Sequence, residues 1–314
     1  PTADNRGTFC YIRDLVSGEF WSNGYQPTTK SPDTYQVIFQ QARAEFRRRD
    51  REFDTRTEII VSPEDDVELR RIRVTNRSWT RRTIEFTSYA EVVLALQASD
   101  ETHPAFHNLF VQTELVREKD AILATRRPRS AGEHPTWMFH LMTVQGTQVR
   151  NISFETDRSK FIGRGNSLSR PVAMTDSSTL SDTAGPVLDP IVAIRCTITL
   201  DPQETAGVNI FTGISESRDG AMALIGKYHE NHIADRVSEM AWTHAEVMLR
   251  QLNQTEQDAQ LFGALASSVI YANPSRRADQ NILMKNSRGQ SDLWGYGISG
   301  DIPIVLVRIE RRNR

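Results

Sequence analysis

Val192-Ala-Ile-Arg-Cys-Thr-Ile-Thr-Leu200 is the stretch on which the fold turns. Val192, Ile194, Cys196, Ile198 and Leu200 share one parity, while Ala193, Arg195, Thr197 and Thr199 share the other. Five consecutive matches to a two-residue period leave no room for a helix, whose apolar positions recur every three or four residues. The stretch is a strand. Asp201-Pro202 then turns the chain, and Val208, Ile210 and Thr212 return with the same period.

Toward the N-terminus the period recurs. Tyr11-Ile-Arg-Asp and Glu19-Phe-Trp flank a Ser17-Gly18 turn, which predicts a hairpin. Asn23-Gly24 and Pro27 punctuate the next loop, and strands are expected over residues 35–40 and 44–49. Thr57, Ile59 and Val61 alternate up to the polar turn Ser62-Pro-Glu-Asp-Asp. Beyond it Val67 and Leu69 share one face, whereas Ile72 and Val74 have the opposite parity. That slip predicts a bulge near Arg70 or Arg71. Ile84, Phe86, Ser88 and Ala90 resume the alternation. Trp137, Phe139, Leu141 and Thr143 alternate against Met138, His140 and Met142, as in a strand buried on both faces. So many strands without intervening helices predict a mainly β chain, an antiparallel sandwich of unusual size.

After Ser215 the period lengthens. Residues 217–230 carry Ala221, Leu224 and Ile225 at helical spacing, and residues 233–252 place Ile233, Val237, Met240, Ala241, Val247, Met248 and Leu252 largely along one stripe. Thr255-Glu-Gln-Asp-Ala has the form of a helix start, and Asn273-Pro274 that of a stop. Residues 289–309 then combine a glycine-rich dozen with an apolar run from Ile302 to Ile309 that needs covering. Gly295, Gly297 and Gly300 match G-x-G-x-x-G, but a polar loop precedes them and Pro303 follows. A dinucleotide fingerprint needs a strand before it and a helix opening at it, so a tight structural connection is expected instead.

The 38 basic and 40 acidic residues nearly cancel, so no global field draws the chain to nucleic acid or anionic membrane. Only five of the basic residues are lysines and 33 are arginines, the residue suited to planar, bidentate recognition. Two cysteines, Cys10 and Cys196, are too few for a disulfide framework and suggest a reducing, cytoplasmic compartment. No apolar run approaches a membrane span, so this segment is expected to make no membrane contact. The chain begins with proline, carries no signal peptide pattern and stops soon after its apolar run. It therefore reads as a fragment.

Seven histidines invite a metal search. His103 and His107 are separated by Pro104, His229 and His232 lack a carboxylate at matching spacing, and no C-x-x-C exists, so no metal site and no cofactor are expected. Glu64, Asp65 and Asp66 sit in a turn, where acids are commonly just solvated, and Asp301 reads as a cap or turn residue. No catalytic residue is assigned. One loop differs: Glu155-Thr-Asp-Arg-Ser-Lys-Phe-Ile-Gly-Arg-Gly-Asn-Ser interleaves Arg158, Lys160 and Arg164 with Phe161, and Gly163 and Gly165 bracket the second arginine. Forked donors beside an aromatic ring suit a sugar or a phosphate, so Arg158, Phe161 and Arg164 are the candidate substrate-binding residues, with a solvated surface loop as the alternative.

Several of these stretches together resemble a known family. Trp21-Ser-Asn-Gly-Tyr-Gln-Pro, Glu45-Phe-Arg-Arg-Arg-Asp, Val61-Ser-Pro-Glu-Asp-Asp-Val-Glu-Leu-Arg-Arg, Thr87-Ser-Tyr-Ala-Glu-Val, His103-Pro-Ala-Phe, Glu155-Thr-Asp-Arg and Leu293-Trp-Gly-Tyr-Gly-Ile-Ser-Gly-Asp-Ile-Pro-Ile are similar to glycoside hydrolase family 94, the former glycosyltransferase family 36. Within it the stretches resemble the phosphorylase-like portion of cyclic β-1,2-glucan synthases. The resemblance implies a β-supersandwich over residues 1–215, a helical linker over residues 216–275, and a connection over residues 276–314 to an (α/α)6 barrel that would hold the general acid and the phosphate site. It further implies a β-glucan or oligosaccharide ligand, a homodimer, and a parent attached to the inner membrane through other domains. The expected function is the non-catalytic part of a glycosyltransferase or phosphorylase. A stand-alone carbohydrate-binding or dimerisation module is the alternative.

Overall fold

The computed structural model describes residues 7–128, 130, 132–176, 178–230, 232–271, 277–302 and 304. In chain order the strands are β1 (Phe9–Asp14), β2 (Phe20–Ser22), β3 (Thr34–Phe39), β4 (Ala44–Asp50), β5 (Phe53–Val61), β6 (Val67–Asn76), β7 (Arg82–Glu91), β8 (Val111–Val116), β9 (Ala121–Arg126), β10 (Trp137–Gln145), β11 (Val149–Asp157), β12 (Gly185–Pro186), β13 (Pro190–Leu200) and β14 (Thr205–Ser215). They form a five-stranded sheet, β11-β13-β7-β1-β2, and a nine-stranded sheet, β12-β8-β9-β10-β14-β6-β5-β4-β3. Neighbouring strands run antiparallel throughout. The mainly β, antiparallel sandwich expected from the alternation is what forms.

The inner faces of the sheets share one apolar layer. Val192, Ile194, Cys196, Ile198 and Leu200 of β13 meet Ile72 and Val74 of β6 and Met138 and Met142 of β10 there. His140 lies in the same layer, fully buried. Its Nε2 bonds Ser88 of β7 and its Nδ1 bonds Thr212 of β14, each at 2.8 Å, so the ring ties one sheet to the other. Burial, with Arg70 as a lesser cause, pushes its pKa down to about 3, so the ring is neutral. Cys10 and Cys196 are free thiols in this layer.

Strand β6 is regular. Its register runs unbroken against β14 from Val67 to Thr75 and against β5 from Glu68 to Asn76, so the bulge expected near Arg70 or Arg71 does not form. The parity changes because the strand is buried on both sides. Val67 and Leu69 face a layer under helices, whereas Ile72 and Val74 face the opposite sheet. Arg71 stands on the helical side too, 2.5 Å from Asp235.

The helices are α1 (Gln97–Thr102), α2 (Pro104–Asn108), α3 (Arg158–Ile162), α4 (Val172–Thr175), α5 (Arg218–Tyr228), α6 (Ile233–Gln251), α7 (Glu256–Ile270) and α8 (Gln280–Lys285). The described residues divide into two compact units that meet in sequence at Met248 and Leu249. In the first, α5 and α6 lay Ala221, Ile225, Tyr228, Ile233, Ala234 and Val237 on the outer face of the nine-stranded sheet, against Leu69, Phe139, Leu141 and Phe211. Gly213 of β14 makes the fit possible, because a Cβ there would stand 2.7 Å from the Phe139 ring and from Val67. The turn acids serve this layer: Asp65 accepts from Lys227 (2.6 Å) and from the Tyr228 hydroxyl (2.7 Å). Burial opposes the Asp65 charge, but these donors outweigh it and hold the carboxyl below its usual range.

In the second unit Thr255 and Asp258 close a capping box on α7, as the helix-start pattern predicts. Leu261, Phe262, Leu265 and Ile270 on that helix are exposed. The glycine stretch forms a 3-10 turn over Gln290–Tyr296, with Gly297 and Gly300 at positive φ (74° and 73°), and Trp294 Nε1 donates to Ser299 O at 3.3 Å. It is the tight connection expected, not the opening of a helix. The Asn273-Pro274 stop and most of the apolar run from Ile302 lie outside the described residues.

Candidate functional site

The stretch expected as a loop with two arginines and an aromatic follows β11 and covers the outer face of the five-stranded sheet. Asp157 starts α3: its carboxylate accepts from Ser159 N (2.9 Å) and Ser159 Oγ (2.7 Å). Residues 158–162 are therefore helical, which turns Phe161 and Ile162 onto the sheet. Phe161 is fully buried, its ring centroid 5.0 Å from Tyr89 and 5.9 Å from Tyr11. It presents no face on which a sugar could stack. Gly163 ends the helix at φ 82°, and a Cβ there would meet Val172 at 2.9 Å, so glycine is required by conformation and by space.

Beneath this cover lies an arginine that the strand pattern hides. Arg195 of β13 is 2% exposed, yet each of its three guanidinium nitrogens has a partner within the fold. Its guanidinium donates to Thr87 Oγ1 (2.9 Å), Ser178 O (2.9 Å) and Ala173 O (2.5 Å). Burial pushes its pKa down, and three fixed acceptors compensate the loss of water. Arg13 adds a bond to Asp176 O (2.6 Å), Tyr11 one to Leu168 O (2.8 Å), and Glu155 accepts from the backbone of Thr156 and Asp157 (3.0 Å each) and from Ser181 (2.5 Å). Four side chains thus nail an irregular segment to a sheet.

The expected site residues part company on this platform. Arg158 is held at its near end by Glu91 (3.1 Å), Asp189 (3.3 Å) and the Tyr89 hydroxyl (3.3 Å). It borders a cleft of about 520 Å³ shared with Asp100 and Asn108. Arg164 stands exposed at the far end between Gly163 and Gly165 and makes no hydrogen bond or ion pair with another described residue. Arg170, six residues on, is also exposed. The structure therefore joins Arg158 and Phe161 to the scaffold and leaves Arg164 as the forked donor pointing away from it. Among the described residues no group of three or more His, Cys, Asp or Glu side chains is arranged to hold a metal ion, and no helix is long and apolar enough to cross a membrane.

Comparison with known proteins follows the same outline. The family model of the glycosyl hydrolase 94 supersandwich domain matches residues 1–231. The cyclic beta-(1,2)-glucan synthase NdvB of Rhizobium meliloti (strain 1021) is 34% identical over 309 residues, which is 98% of this chain and 11% of that protein. Solabiose phosphorylase of Paenibacillus borealis is 24% identical over 70% of the chain and 27% of its own length. N,N'-diacetylchitobiose phosphorylase of Vibrio proteolyticus is 30% identical over 32% of the chain and 13% of its own length. The chain thus spans a small part of each relative. With a supersandwich model matched along most of the chain and the two-sheet architecture it implies in place, the chain belongs to the glycosyl hydrolase 94 supersandwich family.

Proposed function

We propose that this chain is the sandwich and helical portion of a glycosyltransferase or glycoside phosphorylase that makes or trims β-linked glucans, and that the glycosidic oxygen is protonated by another part of that enzyme. The observation that carries the reading is the identity of 34% to a cyclic β-(1,2)-glucan synthase across 98% of the chain. The local chemistry supports it. Bond cleavage needs a carboxylic acid poised at the glycosidic oxygen. Asp65 is held ionised by Lys227 and Tyr228, and Glu155 is spent on backbone amides and Ser181, so both are committed to structure. The resemblance extends the proposal to an (α/α)6 barrel of the same polypeptide, a homodimer, and a cytoplasmic location with the parent anchored at the inner membrane by other domains. Arg164 is the residue that meets the glucan, while Arg158 and Phe161 contribute by holding the segment in place.

The test is direct. The chain incubated with β-1,2-glucooligosaccharides and phosphate should release no glucose 1-phosphate above a blank, and release would overturn the non-catalytic role. Arg164→Ala should weaken oligosaccharide binding by about 1–3 kcal/mol, the scale for losing a charge-assisted bond. Its unfolding midpoint should hardly move, because the side chain is exposed. Unchanged affinity would remove Arg164 from the proposal.

A further inference from the structure

Next to the platform, at the edge strand β2, two hollows of about 380 and 460 Å³ share Glu19, Phe20 and Lys30, and so form one groove. The first hollow is floored by Trp21 and Phe53, whose ring centroids are 5.6 Å apart. The second runs on to Arg170 and Ser169, on the segment that carries Arg164.

The floor is an aromatic pair. Trp21 is 6% exposed, and its indole Nε1 is buried with no hydrogen-bond partner among the described residues. That N–H is closed to the groove, so what the first hollow offers from Trp21 and Phe53 is apolar ring surface. Lys30 bridges the two hollows, with its ammonium 4.3 Å from the Phe20 ring centroid and bonded to the Phe20 carbonyl oxygen.

The charges on the walls decide what kind of ligand. Asp14, Glu19, Asp33 and Asp50 face Lys30, Arg51 and Arg170 around the groove, four carboxylates against three cations. Arg51 already bonds Glu19 (2.7 Å) and, through its backbone, Asp33 (2.7 Å), while Arg48 bonds Asp50 (2.5 Å). Such a groove offers an anion no net attraction. It does offer many acceptors with lone pairs to spare, a few donors, and the edges of apolar rings. A ligand with many hydroxyls and no charge satisfies all three.

We propose that the groove from Trp21 and Phe53 across Phe20 and Lys30 to Arg170 binds a neutral oligosaccharide. That this ligand is a β-1,2-linked glucan rests on the function proposed above.

Titration calorimetry of the whole chain with β-1,2-, β-1,3- and β-1,4-linked glucooligosaccharides tests both parts. Wild-type chain should bind the β-1,2 series. Lys30→Ala removes the donor common to both hollows and should weaken binding roughly two- to tenfold, the range for one net hydrogen bond. Arg170→Ala should weaken it by a similar factor without changing the unfolding midpoint, and it decides the matter alone if Lys30→Ala fails to fold. Inorganic phosphate and glucose 1-phosphate should not compete, and competition by phosphate would overturn the neutral class. Binding of another linkage that both variants weaken keeps the groove and overturns the β-1,2 reading. Binding of the β-1,2 series that neither variant weakens overturns the groove and leaves that reading standing. No binding by the wild-type chain overturns the groove.

Discussion

Each sheet of the sandwich carries a helical cover on its outer face, and the two covers are attached by different physics. On the nine-stranded sheet α5 and α6 present apolar stripes, and Ala221, Ile225, Tyr228 and Val237 bury themselves against apolar strands. Polar contacts such as Lys227 with Asp65 sit at the margin, partly exposed. On the five-stranded sheet the cover has short helices of five and four residues, too short to hold themselves. A buried arginine and several side chain to backbone bonds fix its course. Apolar packing tolerates variation in shape, whereas directed bonds specify one shape. The polar cover is the one whose exposed residues the proposals assign to saccharide.

The sharpest way to break this comparison is to remove Arg195. Arg195→Met leaves Ala173 O, Ser178 O and Thr87 without their buried donor and should cost about 3–5 kcal/mol in denaturant unfolding, the scale for breaking a buried charged network. Limited proteolysis should then cut within residues 163–182 first. Loss of stability without new cleavage there would mean that Arg195 supports the sheet, not its cover.

Ile225→Ala probes the apolar cover in the same assay. The side chain is fully buried, and its truncation should cost about 3 kcal/mol through lost burial and cavity. Cleavage should appear around α5 and leave residues 163–182 intact. Cleavage in both places at once would show that the covers do not act independently.

Between the covers, His140 joins the sheets, and acid should act there on both. Its pKa is about 3 in the fold against 6.5 for an ordinary histidine. Below pH 6.5 the unfolded chain takes up a proton that the folded chain refuses, so stability falls as pH drops from 6.5 toward 3. Between pH 6.5 and 4.5 this amounts to roughly 2 kcal/mol. The stability gap between wild type and His140→Asn should narrow over that range, and a constant gap would contradict the assignment.

How far these features could be read in advance depended on whether one face or two was buried. In β13 one parity is uniformly apolar, and the strand was legible residue by residue. In β6 each half is buried on a different side, so alternation alone looked like a bulge. Arg158 and Arg164 stood out by residue type, but Phe161 lost its expected role because Asp157 caps a helical turn that carries it inward. Asp157 with Ser159 was the available signal. Arg195 was harder to see. An arginine inside a strand flanked by buried Ile194 and Cys196 is a hint of a buried donor, but its acceptors lie about twenty residues upstream in an irregular segment and on β7. The groove at Trp21 unites residues from opposite ends of the sandwich sequence, a juxtaposition that only the folded sheet order produces.

Saccharide is expected to meet the polar cover of the five-stranded sheet and the adjoining β2 edge, and to leave the apolar cover untouched. Hydrogen–deuterium exchange of the chain with and without a β-1,2-glucooligosaccharide measures this in one experiment. Exchange over residues 163–170 and 18–31 should slow on addition of the oligosaccharide, with no change over residues 218–248. Protection confined to residues 218–248, or none anywhere at saturating oligosaccharide, would contradict it.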